Sequence, residues 1–333
     1  MKIVSLSGSS SYLPEQIIKN DFFGTSQKEV NKMFKGVEQR RHVTPDQTAA
    51  SMIERAAKPL LAEMNLDPLT DIDILLTNVS VPDEPFLGCG AKVAHQIGSK
   101  PKWVIDIHNS GCISSVYMMD IARSLMIAQN LKTALICNVQ NAAGQIFSQP
   151  QTRKKPQSAV PGDGCGILYL TTSEESPILA LVHRCYGEYA SDMFSSNDEN
   201  RKYFDTRTSE VSLEFTEAKI ASIISRGNRI VPEIIQEVCK TAEMRTSAID
   251  GLFTNQPNPF FLRNWREAVE VPAEKHFDTF SQYGNLFGAA IPINFDEAVR
   301  GNKIKNGSKL VFAGFSHAGD YSAAALIHWK KEL

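Results

Sequence analysis

Cys112 stands where a thiol could act as a nucleophile. It follows Asn109-Ser110-Gly111, at the end of an apolar strand pattern and the start of a helical one. At a helix N-terminus, unpaired N–H groups and the positive end of the dipole favour a thiolate and can stabilise an oxyanion. Gly111 permits the tight turn that such a junction needs. The alternative interpretation is a small residue that merely packs at the helix start.

The other cysteines do not point to a metal or to a redox pair. The chain has six, and none forms a C-x-x-C pair; they are Cys89, Cys112, Cys137, Cys165, Cys185 and Cys239. We therefore expect no metal site and read all six as reduced thiols of a cytosolic protein. Each has to be judged singly, as a small apolar residue or as a nucleophile.

Composition excludes several broad functions. The chain has 333 residues, 35 Lys plus Arg against 37 Asp plus Glu, and a net charge of −2. This balance argues against bulk nucleic-acid binding, which needs a basic surface, and against a membrane-surface protein. The N-terminus does not read as a signal peptide, and no run reaches the roughly 18 apolar residues of a spanning helix. We expect a cytoplasmic protein.

Apolar runs alternate with helical patterns along the chain. Helices are predicted after Cys112, after Asn285 and from about Val211 to Cys239. The predicted strands are Ile72–Thr77, Trp103–Ile107, Thr133–Val139, Ile167–Thr171, Ile178–His183, Leu252–Thr254, Leu310–Ala313 and Ala323–Trp329. This order predicts an α/β protein with a mostly parallel sheet covered on both faces.

The chain also repeats itself. The segment 72–78, IDILLTN, resembles 249–255, IDGLFTN, and a glycine-aspartate pair opens a late strand at both Gly162-Asp163 and Gly319-Asp320. Such a long internal period indicates duplication rather than a solenoid. We therefore predict two halves, 1–175 carrying the nucleophile and 176–333 carrying the other site residues.

Several segments resemble the beta-ketoacyl-acyl-carrier-protein synthase III family of the thiolase superfamily. They keep the family's order from end to end: Gly8–Glu15, Arg40–His42, Cys112, Gly162–Gly166, Tyr283–Asn285 and Gly314–Trp329. The resemblance implies the thiolase fold, five layers αβαβα formed by two duplicated halves. It also implies a homodimer and places Cys112 at the family's nucleophile.

One departure affects the expected chemistry. Where the family has an HQAN motif, this chain has Asn255-Gln256-Pro257-Asn258. In the family, that histidine and the asparagine matching Asn285 hold the malonyl thioester and stabilise the enolate left by CO₂ loss. Asn255 can still donate a hydrogen bond, but it cannot carry positive charge or accept the proton. Because of this departure, the resemblance does not by itself imply decarboxylative condensation, which stays an alternative.

A second departure lies in the C-terminal glycine-rich turn, which here contains His317, Ala318 and Asp320. The resemblance implies that a backbone N–H near Ala318 completes an oxyanion hole with that of Cys112. An imidazole beside the thiol could activate it or deprotonate an acceptor. We therefore predict catalytic roles for His317 and Asp320. Alternatively, His317 binds a backbone carbonyl, and Asp320 caps the turn as its internal counterpart Asp163 does.

The residues with which the family binds the adenine of coenzyme A are largely missing here. The nearest positions carry Val30 and Phe34. Arg153, Lys154 and Lys155 form a basic run that could meet a phosphopantetheine phosphate or an acidic carrier protein, or could simply be solvated. We predict carrier or phosphopantetheine binding by this run and Asn258. No permanently bound cofactor is expected; acyl carrier protein or acyl-coenzyme A supplies the acyl group as substrate.

The sequence thus predicts an acyltransferase of specialised fatty-acid or polyketide metabolism. An acyl group is loaded on Cys112 and passed to a hydroxyl, amine or carbon nucleophile of a small-molecule acceptor. Two alternatives stay open: a decarboxylative beta-ketoacyl synthase that makes a C–C bond, and a non-catalytic partner subunit of a heterodimer.

Overall fold

A computed structural model describes residues 2–24, 36–84, 86–108, 110–197 and 210–330. The helices are α1 (Ala49–Glu63), α2 (Gly90–Gln96), α3 (Ser114–Ala128), α4 (Ile220–Thr241), α5 (Pro259–Ala268), α6 (Phe280–Tyr283) and α7 (Ala290–Arg300). The strands are β1 (Val4–Tyr12), β2 (Gln16–Lys19), β3 (Gln39–His42), β4 (Ile74–Val79), β5 (Trp103–Ile107), β6 (Thr133–Gln140), β7 (Gly164–Thr172), β8 (Ile178–Cys185), β9 (Met193–Asn197), β10 (Val211–Phe215), β11 (Gly251–Thr254), β12 (His276–Phe277), β13 (Lys309–Ser316) and β14 (Tyr321–His328). Every predicted strand overlaps an observed one.

Two five-stranded sheets share one topology. Their orders are β1-β7-β6-β4-β5 and β8-β14-β13-β11-β12. Read in these orders, both sheets have two antiparallel pairings followed by two parallel ones. The expected mostly parallel sheet is confirmed, because four of the five strands in each sheet run in the same direction and only β7 or β14 runs opposite to them. The matching order confirms the duplicated architecture. The treatment of 1–175 and 176–333 as separate domains stays a prediction.

Helices cover the two sheets in five layers, αβαβα. The central helices α3 and α7 each contact both sheets, α1 and α2 cover the outer face of the first sheet, and α4, with α5 packed on it, covers that of the second. The layers follow from the strands, which are buried on both faces and so need helices on both. One consequence matters for the site: α3 begins between the sheets, so the turn before it faces both halves.

The segment from Val211 to Cys239 is not one helix. Val211–Phe215 is strand β10, which pairs with β9 in a separate two-stranded sheet, and α4 begins only at Ile220. The residues Val-Ser-Leu-Glu-Phe alternate apolar and polar side chains, a period of two that is typical of a strand. The prediction missed this change of period because an apolar helical pattern follows directly.

Among the residues that the structure describes, no helix has both the length and the apolar character needed to cross a membrane. Over the same ranges, the histidine, cysteine and carboxylate side chains form no group of three arranged to hold a metal ion.

Candidate active site

The turn that carries Cys112 is tightly constrained. Ser110 and Gly111 both have positive φ angles, 63° and 35°, and a short 3-10 turn, Gly111–Ile113, leads into α3. A Cβ at Gly111 would lie 2.8 Å from Nε2 of His317. Glycine is thus needed here both for the backbone angle and for the approach of the imidazole. The prediction of Asn109 as part of this turn falls outside the described residues.

His317 and Asp320 form a hydrogen-bonded pair beside this turn. Nδ1 of His317 lies 2.9 Å from Oδ2 and 3.1 Å from Oδ1 of Asp320. Because the carboxylate only accepts hydrogen bonds, the proton is assigned to Nδ1, which leaves Nε2 with a free lone pair. Nε2 lies beside Gly111, the residue that precedes Cys112. An imidazole oriented by a carboxylate in this place could serve as a general base.

Asp163, the internal counterpart of Asp320, makes different contacts. Its buried carboxylate accepts hydrogen bonds from the backbone N–H groups of Val43, Ala143 and Gly144. Asp163 therefore ties loops together, whereas Asp320 binds an imidazole. The duplicated sequence position does not carry a duplicated role.

Asn255 follows the end of β11 and lines the cavity with Cys112, and hydrogen bonding by its side chain lowers the pKa of that thiol. Its Oδ1 accepts from the backbone N–H of Phe315 at 3.3 Å, which fixes the orientation of the amide. A Cβ at Gly314 would come within 2.2 Å of that oxygen. Gly314 is therefore required for Asn255 to reach the thiol, and the sequence analysis missed it. An isolated glycine inside a strand is the signal that could have identified it.

Asn285, which precedes α7, lines the same cavity. Its Oδ1 accepts from the N–H of Phe287 at 3.1 Å, so its amide N–H₂ is the group available to the cavity. The loop is pinned because the N–H of Asn285 donates to the carbonyl of Val160. Gly288 packs against the nucleophile turn, since a Cβ there would lie 2.8 Å from the carbonyl oxygen of Gly111. Both predicted asparagines thus lie on the cavity that holds the thiol.

A cavity of about 910 Å³ connects these side chains, with Cys112, His317, Asn255 and Asn285 all in its wall. Its size suits a small-molecule site. Much of the remaining wall is apolar and comes from the β9–β10 hairpin and α4, whose contributing residues include Met193, Val211, Leu213, Phe215, Ile220 and Ile223. The prediction did not include this wall, because β10 was read as part of a helix.

The thiol is not a resting thiolate. Burial, and after it the charge of the Asp320 carboxylate, raise the pKa of the Cys112 thiol to about 12. Hydrogen bonds from the backbone N–H groups of His317 and Cys112 and from the side chain of Asn255 lower the pKa, but they do not outweigh burial. The expectation of a lowered thiol pKa is therefore wrong. A neutral thiol needs a base when it attacks, which fits the neighbouring imidazole.

This raised pKa predicts the pH dependence of Cys112 alkylation. Below the pKa the thiolate fraction rises tenfold per pH unit, so the rate of reaction with iodoacetamide should rise about tenfold per unit from pH 7 to 10. The rate is to be measured by mass spectrometry on the peptide that contains Cys112. A plateau below pH 9 would contradict the raised pKa. The exposed thiol of Cys185, followed in the same digest, provides the comparison.

The resemblance points to the backbone N–H groups of Cys112 and Ala318 as an oxyanion hole. In the structure, hydrogen bonds from the backbone N–H groups of His317, whose φ is 49°, and of Cys112 lower the pKa of the thiol. The oxyanion-hole role of Cys112 and Ala318 stays a prediction. The carbonyl of Ala318 accepts a hydrogen bond from Arg226.

The predicted carrier-binding residues are partly engaged within the chain. Lys155 forms an ion pair with Glu214 at 2.6 Å, and the guanidinium of Arg153 lies over the ring of Phe22. Lys154 is exposed and donates to Gln151. Of the three, Lys155 thus anchors β10, and the contact of the basic run with a carrier protein stays a prediction.

Asn258 lines the cavity, but its Oδ1 also caps α5 by accepting from the N–H of Phe261 at 2.9 Å. Its predicted contact with phosphopantetheine stays untested. His108, beside the nucleophile turn, is exposed and also lines the cavity. The predicted adenine-binding positions Val30 and Phe34 lie outside the described residues.

Comparisons with known proteins find similar sequences. Residues 239–329 match the family described as 3-oxoacyl-[acyl-carrier-protein (ACP)] synthase III C terminal. A beta-ketoacyl-[acyl-carrier-protein] synthase III of Clostridium perfringens is 24% identical over 332 residues, which cover 98% of this chain and 99% of that relative. The predicted resemblance is confirmed.

Solved structures share the fold. The 3-oxoacyl-[acyl-carrier-protein] synthase III of Aquifex aeolicus superposes with a TM-score of 0.83 at 22% identity, covering 98% of this chain and 100% of that one. The priming beta-ketosynthase from the R1128 polyketide biosynthetic pathway gives a TM-score of 0.85 at 18% identity, with coverage of 99% and 98%. The thiolase fold is therefore confirmed.

Proposed function

We propose that this divergent relative of the beta-ketoacyl-[acyl-carrier-protein] synthase III proteins is an acyltransferase that works through Cys112. The observation that carries the proposal is the His317–Asp320 pair, whose free imidazole nitrogen faces the nucleophile turn. The acyl group comes from a carrier-protein or coenzyme A thioester, in keeping with the printed names of the relatives. The acceptor is a hydroxyl or amine, or else a carbon nucleophile.

The first half-reaction loads the enzyme. Nε2 of His317 takes the thiol proton as the sulfur of Cys112 attacks the thioester carbonyl, and a new C–S bond forms. The N–H groups of Cys112 and His317 hold the resulting oxyanion. On collapse the old C–S bond breaks, and the imidazolium returns its proton to the departing pantetheine thiolate.

The second half-reaction transfers the acyl group. Nε2 of His317 takes the proton of the acceptor hydroxyl or amine as that atom attacks the acyl carbonyl. When the tetrahedral intermediate collapses, the sulfur of Cys112 leaves and takes the proton back. Asp320 holds the imidazole in the required tautomer through both steps.

The experiment is a two-stage assay with the intact protein. Acyl-coenzyme A and acyl carrier protein are offered as donors, and the protein is weighed for an acyl adduct. Hydroxyl, amine and malonyl acceptors are then added, and the products are identified. Discharge to a hydroxyl or amine supports the proposal, whereas a β-keto product alone supports condensation. Absence of an adduct with every donor would favour a non-catalytic partner subunit.

Condensation is the second candidate because Asn255 and Asn285 both line the cavity next to the thiol. Two amide donors can hold a malonyl thioester carbonyl, but neither can supply positive charge. If the missing histidine limits this chemistry, Asn255→His should raise malonyl decarboxylation by about 100-fold. Release of CO₂ from a malonyl thioester measures the effect.

Asn255→Gln is the matched control, because it keeps an amide and adds no titratable group. An equal gain in both variants would mean that size, and not the imidazole, matters. A wild-type protein that already decarboxylates malonyl thioesters at the rate of its acyl loading would overturn the preference for an oxygen or nitrogen acceptor.

We also propose a homodimer. Strand β5 is an edge of the first sheet, and it exposes Trp103 and Val104. An exposed apolar edge strand offers unpaired backbone groups with which another chain can pair. Phe86 and Leu87, which are also exposed, precede α2, the helix that packs on β5. These residues support pairing of two copies along this edge.

A further inference from the structure

Arg226 lies behind the turn that carries His317 and Asp320. Its side chain is buried on α4 and is absent from the wall of the cavity. One guanidinium nitrogen donates to the carbonyl of Ala318 at 2.6 Å, and another donates to Asp192 at 2.9 Å. The arginine therefore bonds the backbone between His317 and Asp320 without facing the substrate space.

The guanidinium is held from three sides. The carboxylate of Asp192 is buried and is also bound by Lys219 at 2.5 Å. The ring of Tyr189 lies 3.3 Å from the guanidinium carbon. Gly319 has a φ of 99°, and a Cβ there would lie 2.7 Å from Cδ of Arg226. A planar group bound on both edges and one face has little freedom to move.

A second contact ties the same region to the turn. The N–H of Tyr186 donates to the carbonyl of Asp320 at 2.7 Å. The segment 186–192 therefore holds the turn that carries His317 and Asp320 at two points. Tyr186 bonds Asp320 directly, and Asp192 acts through Arg226 on Ala318. His317 itself has a positive φ of 49°, which is unfavourable for a residue with a side chain and persists only where its surroundings impose it.

We propose that Arg226 is a positioning residue that holds the His317–Asp320 turn in its active geometry. The inference rests on the proposed function, since it assigns Arg226 a task in the acyl transfer that His317 promotes. The arginine fixes both the imidazole beside Gly111 and the His317 N–H on the sulfur of Cys112. A small displacement of such groups costs about 100-fold in rate.

The test compares Arg226→Met with Arg229→Met, which removes an exposed arginine of the same helix that pairs only with Glu233 among the described residues. In Arg226→Met the maximal rate of Cys112 acylation should fall about 100-fold. The donor KM should stay within about twofold, because Arg226 does not line the cavity. Arg226→Lys, which keeps the charge but only one bonding edge, should recover part of the rate. Arg229→Met should behave as wild type.

A loss confined to KM, or equal rates in the two methionine variants, would overturn the proposal. So would a lower melting temperature in Arg226→Met with an unchanged rate. If Arg226→Met does not fold, Asp192→Asn provides the test, because it keeps the shape of the side chain that Arg226 binds. An intermediate loss of the acylation rate is then expected. A wild-type rate in Asp192→Asn would reject the proposal.

Alkylation of Cys112 by iodoacetamide separates this proposal from the proposed function, because it needs no acyl donor. If no donor acylates the wild type, the proposed function fails. A slower alkylation in Arg226→Met than in Arg229→Met would still support the positioning of the His317 N–H, and equal alkylation rates would reject it.

Discussion

His317→Ala is expected to lower the rate of acyl transfer by about 100- to 10,000-fold, the range typical of a lost general base. The residue Cys112 is half-buried in the cavity wall and its thiol has a pKa raised to about 12, so the thiol must lose its proton during the attack. Nε2 of His317 lies beside Gly111 in the nucleophile turn and is the base that the proposal assigns to this proton. The alanine variant keeps the backbone N–H, so the loss reports on the imidazole alone. Steady-state product formation measures it.

His183→Ala is the matched control for this prediction. His183 is partly exposed on β8, stacks on Tyr117 and lies 3.8 Å from Asp120. Its removal should leave the rate within about twofold of wild type, as for a surface substitution. Equal losses in the two variants, or an unchanged rate in His317→Ala, would show that His317 is not the base. Asp320→Asn should lower the rate less than His317→Ala, because the imidazole stays in place.

Cys112→Ala should remove both the acyl adduct and measurable product, a loss on the order of a million-fold for a nucleophile of this kind. Of the other cysteines, Cys89 also lines the cavity, but its thiol is hydrogen-bonded to Thr77. The expected result is an unchanged protein mass after incubation with donor, together with product at the background rate.

Cys185→Ser serves as the control, because Cys185 is an exposed thiol that does not line the cavity. It should acylate and turn over as wild type does. Product formation by Cys112→Ala at more than about one-hundredth of the wild-type rate would mean that transfer proceeds directly from donor to acceptor, with His317 as base and no covalent intermediate.

The fold was predictable because its strongest signals are repeated and local. Buried strands read as continuous apolar runs, and the echo of 72–78 in 249–255 matches two equivalent strands, β4 and β11. The one reversed strand of each sheet, β7 or β14, was not predictable in the same way, since strand residues do not record the direction of their partner. The β9–β10 hairpin was missed because its alternating segment is only five residues long and precedes a long apolar helix.

In the site, the sequence identified the residues by their chemical type, but it did not give the contacts between them. The sequence singled out Cys112, Asn255, Asn285 and His317, and the structure places all of them on one cavity. It did not show that Asp320 binds the imidazole while Asp163 binds backbone, because both occupy similar glycine turns. It also misjudged the thiol pKa, since the helix N-terminus is visible in sequence while the burial that outweighs it is not.

Arg226 illustrates what tertiary contact adds. Its spacing from Ile223 and Ile230 places it on the apolar face of α4, which is unusual for an arginine and was a readable signal. Its partners, however, lie 34 and 92 residues away in sequence, at Asp192 and Ala318. No local pattern connects them.

The measurement that tests the central claim most directly is the location of the acyl group after a single loading reaction. The wild-type protein is incubated with an acyl thioester, quenched in acid, digested and mapped by mass spectrometry. The acyl group should be found on the peptide that contains Cys112 and on no other, and it should disappear when acceptor is added before the quench. An acyl group on another residue, or one on Cys112 that no acceptor discharges, would contradict the account.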